Sequence, residues 1–272
     1  VNFDDAVIRE QDEKVKSFLQ PSTDIAGATT GAAIGWLIGG PPGAVLGAGA
    51  GPAAAWTLRQ LALEFRERVL GHREEVRVGA AITFATAKIK EKLEAGEQPR
   101  QDGFFTDAHD NRAAAKEVFE GVVLAAQREA EEKKVRLLGN LLANLAFEED
   151  VDREQASLLV KLGEDLAYRQ LCLLALFAQN TIVGGGNNRF GLRASDYRAS
   201  ESDGMGLIMV LQDAYALYQR GLVGNGGTAM IAVTDANPSQ MMPVGAAFSL
   251  FNLMELWTLP DDDLNGLIRL LR

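Results

Sequence analysis

A glycine stands at every fourth residue from Gly27 through Gly31, Gly35, Gly39, Gly43 and Gly47 to Gly51, inside a run from Ile25 to Leu58 that holds 34 consecutive uncharged residues. Four residues make about one helical turn, so on a helix these glycines share one side and let a second backbone approach closely. Pro41 and Pro42 in "GGPPG" interrupt the run, because proline lacks an N–H and sits well only in a first helical turn. The pattern predicts a glycine-zipper helical hairpin with two arms of about 16 residues, each about 24 Å long. An unbroken helix over the run would reach about 51 Å, well beyond the ~30 Å hydrocarbon layer of a bilayer. A phosphate cradle is strongly disfavoured, since no Lys or Arg occurs from residue 24 to 58 to meet the phosphates.

Two surroundings suit such a hairpin. Trp36 and Trp56 are bulky amphipathic residues that fit a membrane interface or the outside of the hairpin. Lys14 and Lys16 precede the run and Arg59, Arg66 and Arg68 follow it, which puts both ends on the cytoplasmic face of a membrane, although Asp4, Asp5, Glu10, Asp12 and Glu13 dilute the first flank. Against insertion, Ala and Gly dominate, and only Ile25, Ile34, Leu37 and Ile38 supply branched apolar bulk before Pro41. A soluble αα-hairpin in a cytoplasmic protein is therefore the alternative. In the membrane setting the glycine faces predict a homo-oligomer; in the soluble one the hairpin is purely structural.

The rest of the chain reads as mainly helical. Residues 3–19 form a short amphipathic pattern that Pro21 ends, and they mix acids and bases where a signal peptide would have a basic start and an apolar core. Apolar residues recur at helical spacing through 59–96, and "EQPRQDG" reads as a linker. One long helix is predicted over 113–147, with Val118, Val122, Ala125, Leu138, Leu142 and Leu145 as its buried stripe. Another is predicted over about 152–179, with Leu158, Leu159, Leu162, Leu166, Leu171, Leu174 and Leu176 in the core. "NTIVGGGNNRFGLRASDY" is a Gly/Asn-rich loop that could hold a strand, and 205–220 is again helical. Residues 224–254 then read as strand, turn, strand and helix. Three domains follow: the hairpin region 1–59, a helical region 60–152, and an α+β module with a small β-hairpin over 153–272.

Catalytic constellations are scarce. His72 and His109 are the only histidines and Cys172 the only cysteine, which excludes an internal disulfide, a His pair one helical turn apart and a zinc-ligand cluster. "DAHD", Asp107 to Asp110, is the most enzyme-like cluster, but acids at a helix start are expected there on dipole grounds alone. The expectation is no enzyme, no cofactor and no metal. A net charge of -10 argues against a protein that coats nucleic acid.

The order of elements after 153, with "LYQRGLV" closing a helix and "MPVGAAF" following a hairpin, resembles a winged-helix domain. Leu217, Tyr218, Arg220, Gly221, Leu222 and Val223 match the turn after that family's recognition helix. Pro243, Gly245 and Phe248 match the stretch after the wing loosely. The resemblance implies DNA binding as the common role and protein binding as another. The helix 205–220 carries only Asp213 and Arg220 as charges and has Leu207, Ile208, Met209, Val210 and Leu211 in a row, which favours a protein partner over a phosphate backbone. Leu217, Arg220 and Asp213 are the candidate partner-facing residues, and Arg189, Arg193 and Arg198 the candidate nucleic-acid patch. The segment from Glu131 to Phe177 also resembles, loosely, a helical region of bacterial abortive-infection and phage-defence proteins, which would imply a bacterial cytoplasmic-face protein that responds to stress or infection and supplies no catalytic residue; with the glycine run, the expectation is a membrane-associated sensor or effector.

Overall fold

The computed structural model describes residues 57, 60, 64, 70–107, 112–181, 188–198 and 204–272. The N-terminal amphipathic pattern, the glycine run with Trp36 and Trp56, and His109 lie outside the described residues. Among the described residues there are eight α-helices and one two-stranded antiparallel sheet, in two compact units that divide between Asp165 and Leu166.

The first unit contains α1 (His72–Glu94), α2 (Ala114–Arg128), α3 (Glu132–Leu145) and α4 (Arg153–Asp165). α1 packs on α3 and α2, and α4 packs on α2 and α3. Helix α4 begins where the sequence reading placed the start of the last domain, yet it belongs with these helices. α1 is buried on every side from Val78 to Thr86. Small residues make that possible: Gly79, Ala80, Ala81 and Ala85 bring neighbouring backbones near. Thr83 and Thr86, which would otherwise bury a hydroxyl unpaired, donate to the carbonyls of Gly79 and Ile82 four residues back. The closest approach is at Gly139 of α3, where a Cβ would stand 2.7 Å from Phe84 Cβ and 2.9 Å from the Ala81 carbonyl oxygen.

The single helix predicted over 113–147 is two helices. Its apolar stripe is buried as expected, with Val118, Val122, Ala125, Leu138, Leu142 and Leu145 all in the core. The chain breaks at Glu129, whose backbone is extended (φ -65°, ψ 126°). There the Glu129 carboxylate accepts the Glu131 N–H at 2.8 Å and pairs with Lys134 at 2.5 Å. Lys134 also donates to the Glu164 carbonyl at the end of α4 (2.9 Å), and Arg77 of α1 donates to the Glu129 carbonyl. Four helices thus converge on one buried ionic elbow, and folding the stripe back on itself buries it against α1 rather than extending it.

The entry to α2 explains "DAHD" in part. Asp107 accepts the Ala113 N–H (2.9 Å) and pairs with Lys116 (2.6 Å), and the Lys116 hydrogen bond, foremost, holds its carboxyl below the usual range. The carboxylate fastens a helix start.

In the second unit α5 (Tyr168–Thr181) is central and buried from Leu171 to Ala178, Cys172 included. The predicted helix over 152–179 therefore stops and restarts at Leu166 and Ala167, with Leu158 left exposed. Around α5 lie α6 (Met205–Gln219), β1 (Val223–Asn225), β2 (Met241–Pro243), α7 (Ala246–Leu253) and α8 (Asp261–Leu271). The strands pair Val223 with Pro243, Gly224 with Met242 and Asn225 with Met241. Gly221 follows α6 at φ +67°, which lets the Leu222 N–H return to the Leu217 carbonyl (3.0 Å) and aims the chain into β1.

Candidate interaction surface

The loop between β1 and β2 is held by one carboxylate. Asp235, in a short 3-10 turn (Val233–Asp235), accepts the backbone N–H groups of Ile231 (2.7 Å) and Ala232 (2.9 Å) on one oxygen and Arg198 Nε (2.6 Å) on the other. Asn225 completes the clamp by donating to the Asp235 carbonyl (3.1 Å) and accepting the Asn237 N–H (2.9 Å). The strand expected from Gly224 up to a turn at Asp235 is shorter, running from Val223 only to Asn225. Gly226 then turns at φ +58°, where a Cβ would stand 2.9 Å from Gln240 Cβ. The Gly/Asn-rich loop contributes no strand among its described residues, yet it lies along this loop: the Tyr197 N–H meets the Thr234 carbonyl (2.8 Å) and the Ser239 N–H meets the Arg193 carbonyl (3.1 Å).

The Arg198 hydrogen bond, with the two backbone N–H donors, holds the Asp235 carboxyl well below the ordinary carboxylate range. A carboxyl whose folded pKa is depressed contributes stability that is complete above its unfolded pKa of about 4 and is lost as pH falls toward the folded value. Asp235→Asn is accordingly expected to lower the melting temperature near neutral pH, with the gap to the native chain narrowing progressively below about pH 4. Thermal melts across that range check it; a gap that does not vary with pH would remove the ionic role.

Of the three residues expected to face a partner, Leu217 is fully buried and serves the core. Asp213 turns toward α5, pairing with Arg169 Nε (2.5 Å) and accepting from Gln170 Nε2 (3.1 Å), so it joins two helices rather than meeting solvent. Arg220 is exposed at the end of α6. A helical signature gives spacing but not the side that packs, and Leu217 lies on the inward line with Val210, Leu211 and Ala214. The outward line was legible in the same apolar row but not picked out: Met205 is 73% exposed, Met209 43% and Ile208 37%. Ile231 on the loop is 83% exposed, and its carbonyl accepts the Tyr215 hydroxyl of α6 (3.1 Å), which carries the apolar line onto the loop.

The arginine patch is also rearranged. Arg198 is engaged by Asp235 and by Asp196 (3.6 Å). Arg189 lies over the Phe190 ring at 5.1 Å, and Arg193 over the Tyr197 ring at 4.4 Å. Arg272, 74 residues after Arg198, joins them by donating from Nε to the Phe190 carbonyl (2.9 Å), while the Arg193 N–H meets the Leu271 carbonyl (2.8 Å). The cluster the fold assembles is therefore Arg189, Arg193 and Arg272, on the loop and the last turn of α8.

Among the described residues no three His, Cys, Asp or Glu gather as metal ligands would, and no helix is long and apolar enough to cross a membrane. His72 is exposed at the start of α1. No protein-family model, curated protein or solved structure matches the chain.

Proposed function

We propose that this chain is a non-enzymatic, membrane-associated sensor or effector of the bacterial stress and phage-defence kind. In this reading the glycine run is a self-assembling hairpin at the cytoplasmic face of the inner membrane, the helices of the first unit are its platform, and the second unit is a winged-helix-like module that receives a partner. The observation that carries the reading is the outer side of α6, which offers Met205, Ile208 and Met209 to solvent and has no Lys or Arg before Arg220. A helix that reads duplex edges needs cations and polar donors on that side; an apolar one suits a protein or a lipid surface. The succession α5, α6, β1, loop, β2, α7 supports the winged-helix likeness. Gly27, Gly31, Gly35, Gly39, Gly43, Gly47 and Gly51 would pack arms between subunits, and release of the hairpins would alter membrane permeability.

Expression in bacteria loaded with a membrane-potential dye tests the reading. The native chain is expected to depolarise cells, and Gly31→Leu/Gly35→Leu, which fills the close-contact side of the first arm, to leave them polarised. Polarised cells with the native chain at full expression would sink the effector role. A second reading, a soluble winged-helix DNA-binding or adaptor protein with a structural hairpin, draws on the Arg189, Arg193 and Arg272 cluster. It predicts gel shifts of duplex DNA at physiological salt with steep salt dependence.

A further inference from the structure

The arginine cluster and the exposed side of α6 border one another. Leu270 of α8, 40% exposed, is the link: its Cδ2 lies 4.0 Å from where a Cβ on Gly206 of α6 would stand. Met209 sits about 60° from Gly206 around the helix, and Met205 shares its side one turn away. Arg269 and Arg272, both exposed, flank Leu270 in sequence, and Arg272 reaches the Phe190 carbonyl beside Arg189 and Arg193. The acids of α8, Asp261, Asp262 and Asp263, are at its far end, about 9–12 Å along the axis from Arg269, and Asp263 accepts the Tyr168 hydroxyl (2.8 Å). Leu270 and Arg272, two positions apart, are about 160° from one another around α8, so the apolar side chains border one flank of its exposed face and Arg272, with Arg189 and Arg193, the other; no acid is paired with Arg189, Arg193, Arg269 or Arg272 within the ion-pair distances of the described residues.

We propose that this surface docks the second unit peripherally on an anionic lipid bilayer, with Arg189, Arg193, Arg269 and Arg272 on lipid phosphates and Met205, Met209 and Leu270 entering the headgroup region. Charge complementarity selects the occupant. Cations on one side of protruding apolar side chains match an interface whose outer layer is anionic and whose interior is apolar. Duplex DNA would use the cations but leave the methionines and leucine in water, and a purely apolar protein groove would leave the cations unanswered. The proposal rests on the membrane reading above in that the chain meets a bilayer, but it requires nothing of the glycine run.

Flotation of the full chain with vesicles of phosphatidylcholine, alone or with phosphatidylglycerol, tests it. The binding to phosphatidylglycerol vesicles in excess of that to phosphatidylcholine alone should be displaced by salt and should fall about a hundredfold at low ionic strength in Arg189→Gln/Arg193→Gln/Arg272→Gln. It should fall about tenfold in Met205→Ser/Met209→Ser. Arg193 stacks on Tyr197, so Arg189→Gln/Arg272→Gln, confined to exposed side chains, provides the same comparison if the triple variant loosens the fold. Native-level binding of a folded arginine variant, or equal binding to both vesicle types, overturns the proposal, and salt-resistant binding to both would then belong to the glycine run. Salt-sensitive, arginine-dependent binding without any salt-resistant fraction supports the docking surface while removing the inserted hairpin. Arginine-dependent binding of a duplex with no vesicle binding overturns it in favour of nucleic acid.

Discussion

Lys134→Met is expected to destabilise the unit that ends at Asp165 by about 3–5 kcal/mol, seen as a shift of the denaturant midpoint followed by far-ultraviolet circular dichroism. The reason is the elbow at Glu129. Lys134 and Glu129 are 3% and 8% exposed, and the ammonium bonds both the Glu129 carboxylate (2.5 Å) and the Glu164 carbonyl (2.9 Å). Removing the cation leaves the buried Glu129 carboxylate with the Glu131 N–H but without a counter-charge, and the cost of that unpaired charge exceeds anything the thioether gains by packing. Replacing both partners, Glu129→Leu with Lys134→Met, is expected to recover about half of the loss, because the pair's net worth is smaller than the cost of breaking it. A loss below about 1 kcal/mol in the single variant would mean that water reaches the elbow, as at an exposed pair.

Gly139→Leu carries the second large effect, about 3 kcal/mol of lost stability, at the upper end of what overpacking costs. Two terms compete. Replacing a helical glycine gains about 1 kcal/mol of propensity. Against it, the new Cβ would stand 2.9 Å from the Ala81 carbonyl oxygen, which belongs to the backbone of α1 and cannot turn aside as a side chain can. Separating α1 from α3 would loosen the all-round burial of residues 78–86. Gly121 of α2 provides the opposite case: a Cβ there would meet Val160 Cγ1 at 3.5 Å, an ordinary contact, so Gly121→Ala is expected to stabilise by about 0.5–1 kcal/mol. The same midpoint measurement reads both, and equal signs for the two glycines would refute the close-approach account.

These two sites also show what the sequence disclosed. The apolar spacing from Val118 to Leu145 announced a buried stripe, and the stripe is buried. The break inside it was hidden, because Glu129 and Lys134 look like solvated charges until a tertiary context encloses them. The all-round burial of α1 had a signal that amphipathic counting passes over: residues 78–87 contain no charge, between Arg77 and Lys88, but Ala, Gly and Thr score as neutral. The family-like turn that contains Leu217, and the charge at Asp213, carry spacing and not orientation; the fold sends both inward and leaves Met205, Ile208 and Met209 outside. Arg198 looked equivalent to Arg189 and Arg193 along the chain, but Asp235, 37 residues later, engages it, while Arg272 arrives from the last turn of α8. Partnerships across long sequence separations are set by packing, and local pattern cannot reveal them.

The membrane reading is most directly tested by fractionating cells that express the full chain. The account predicts that the protein sediments with membranes, stays there through a high-salt wash and enters the supernatant only with detergent, because the uncharged run from Ile25 to Leu58 is read as its anchor. Complete recovery in the high-speed supernatant of a detergent-free lysate would contradict it.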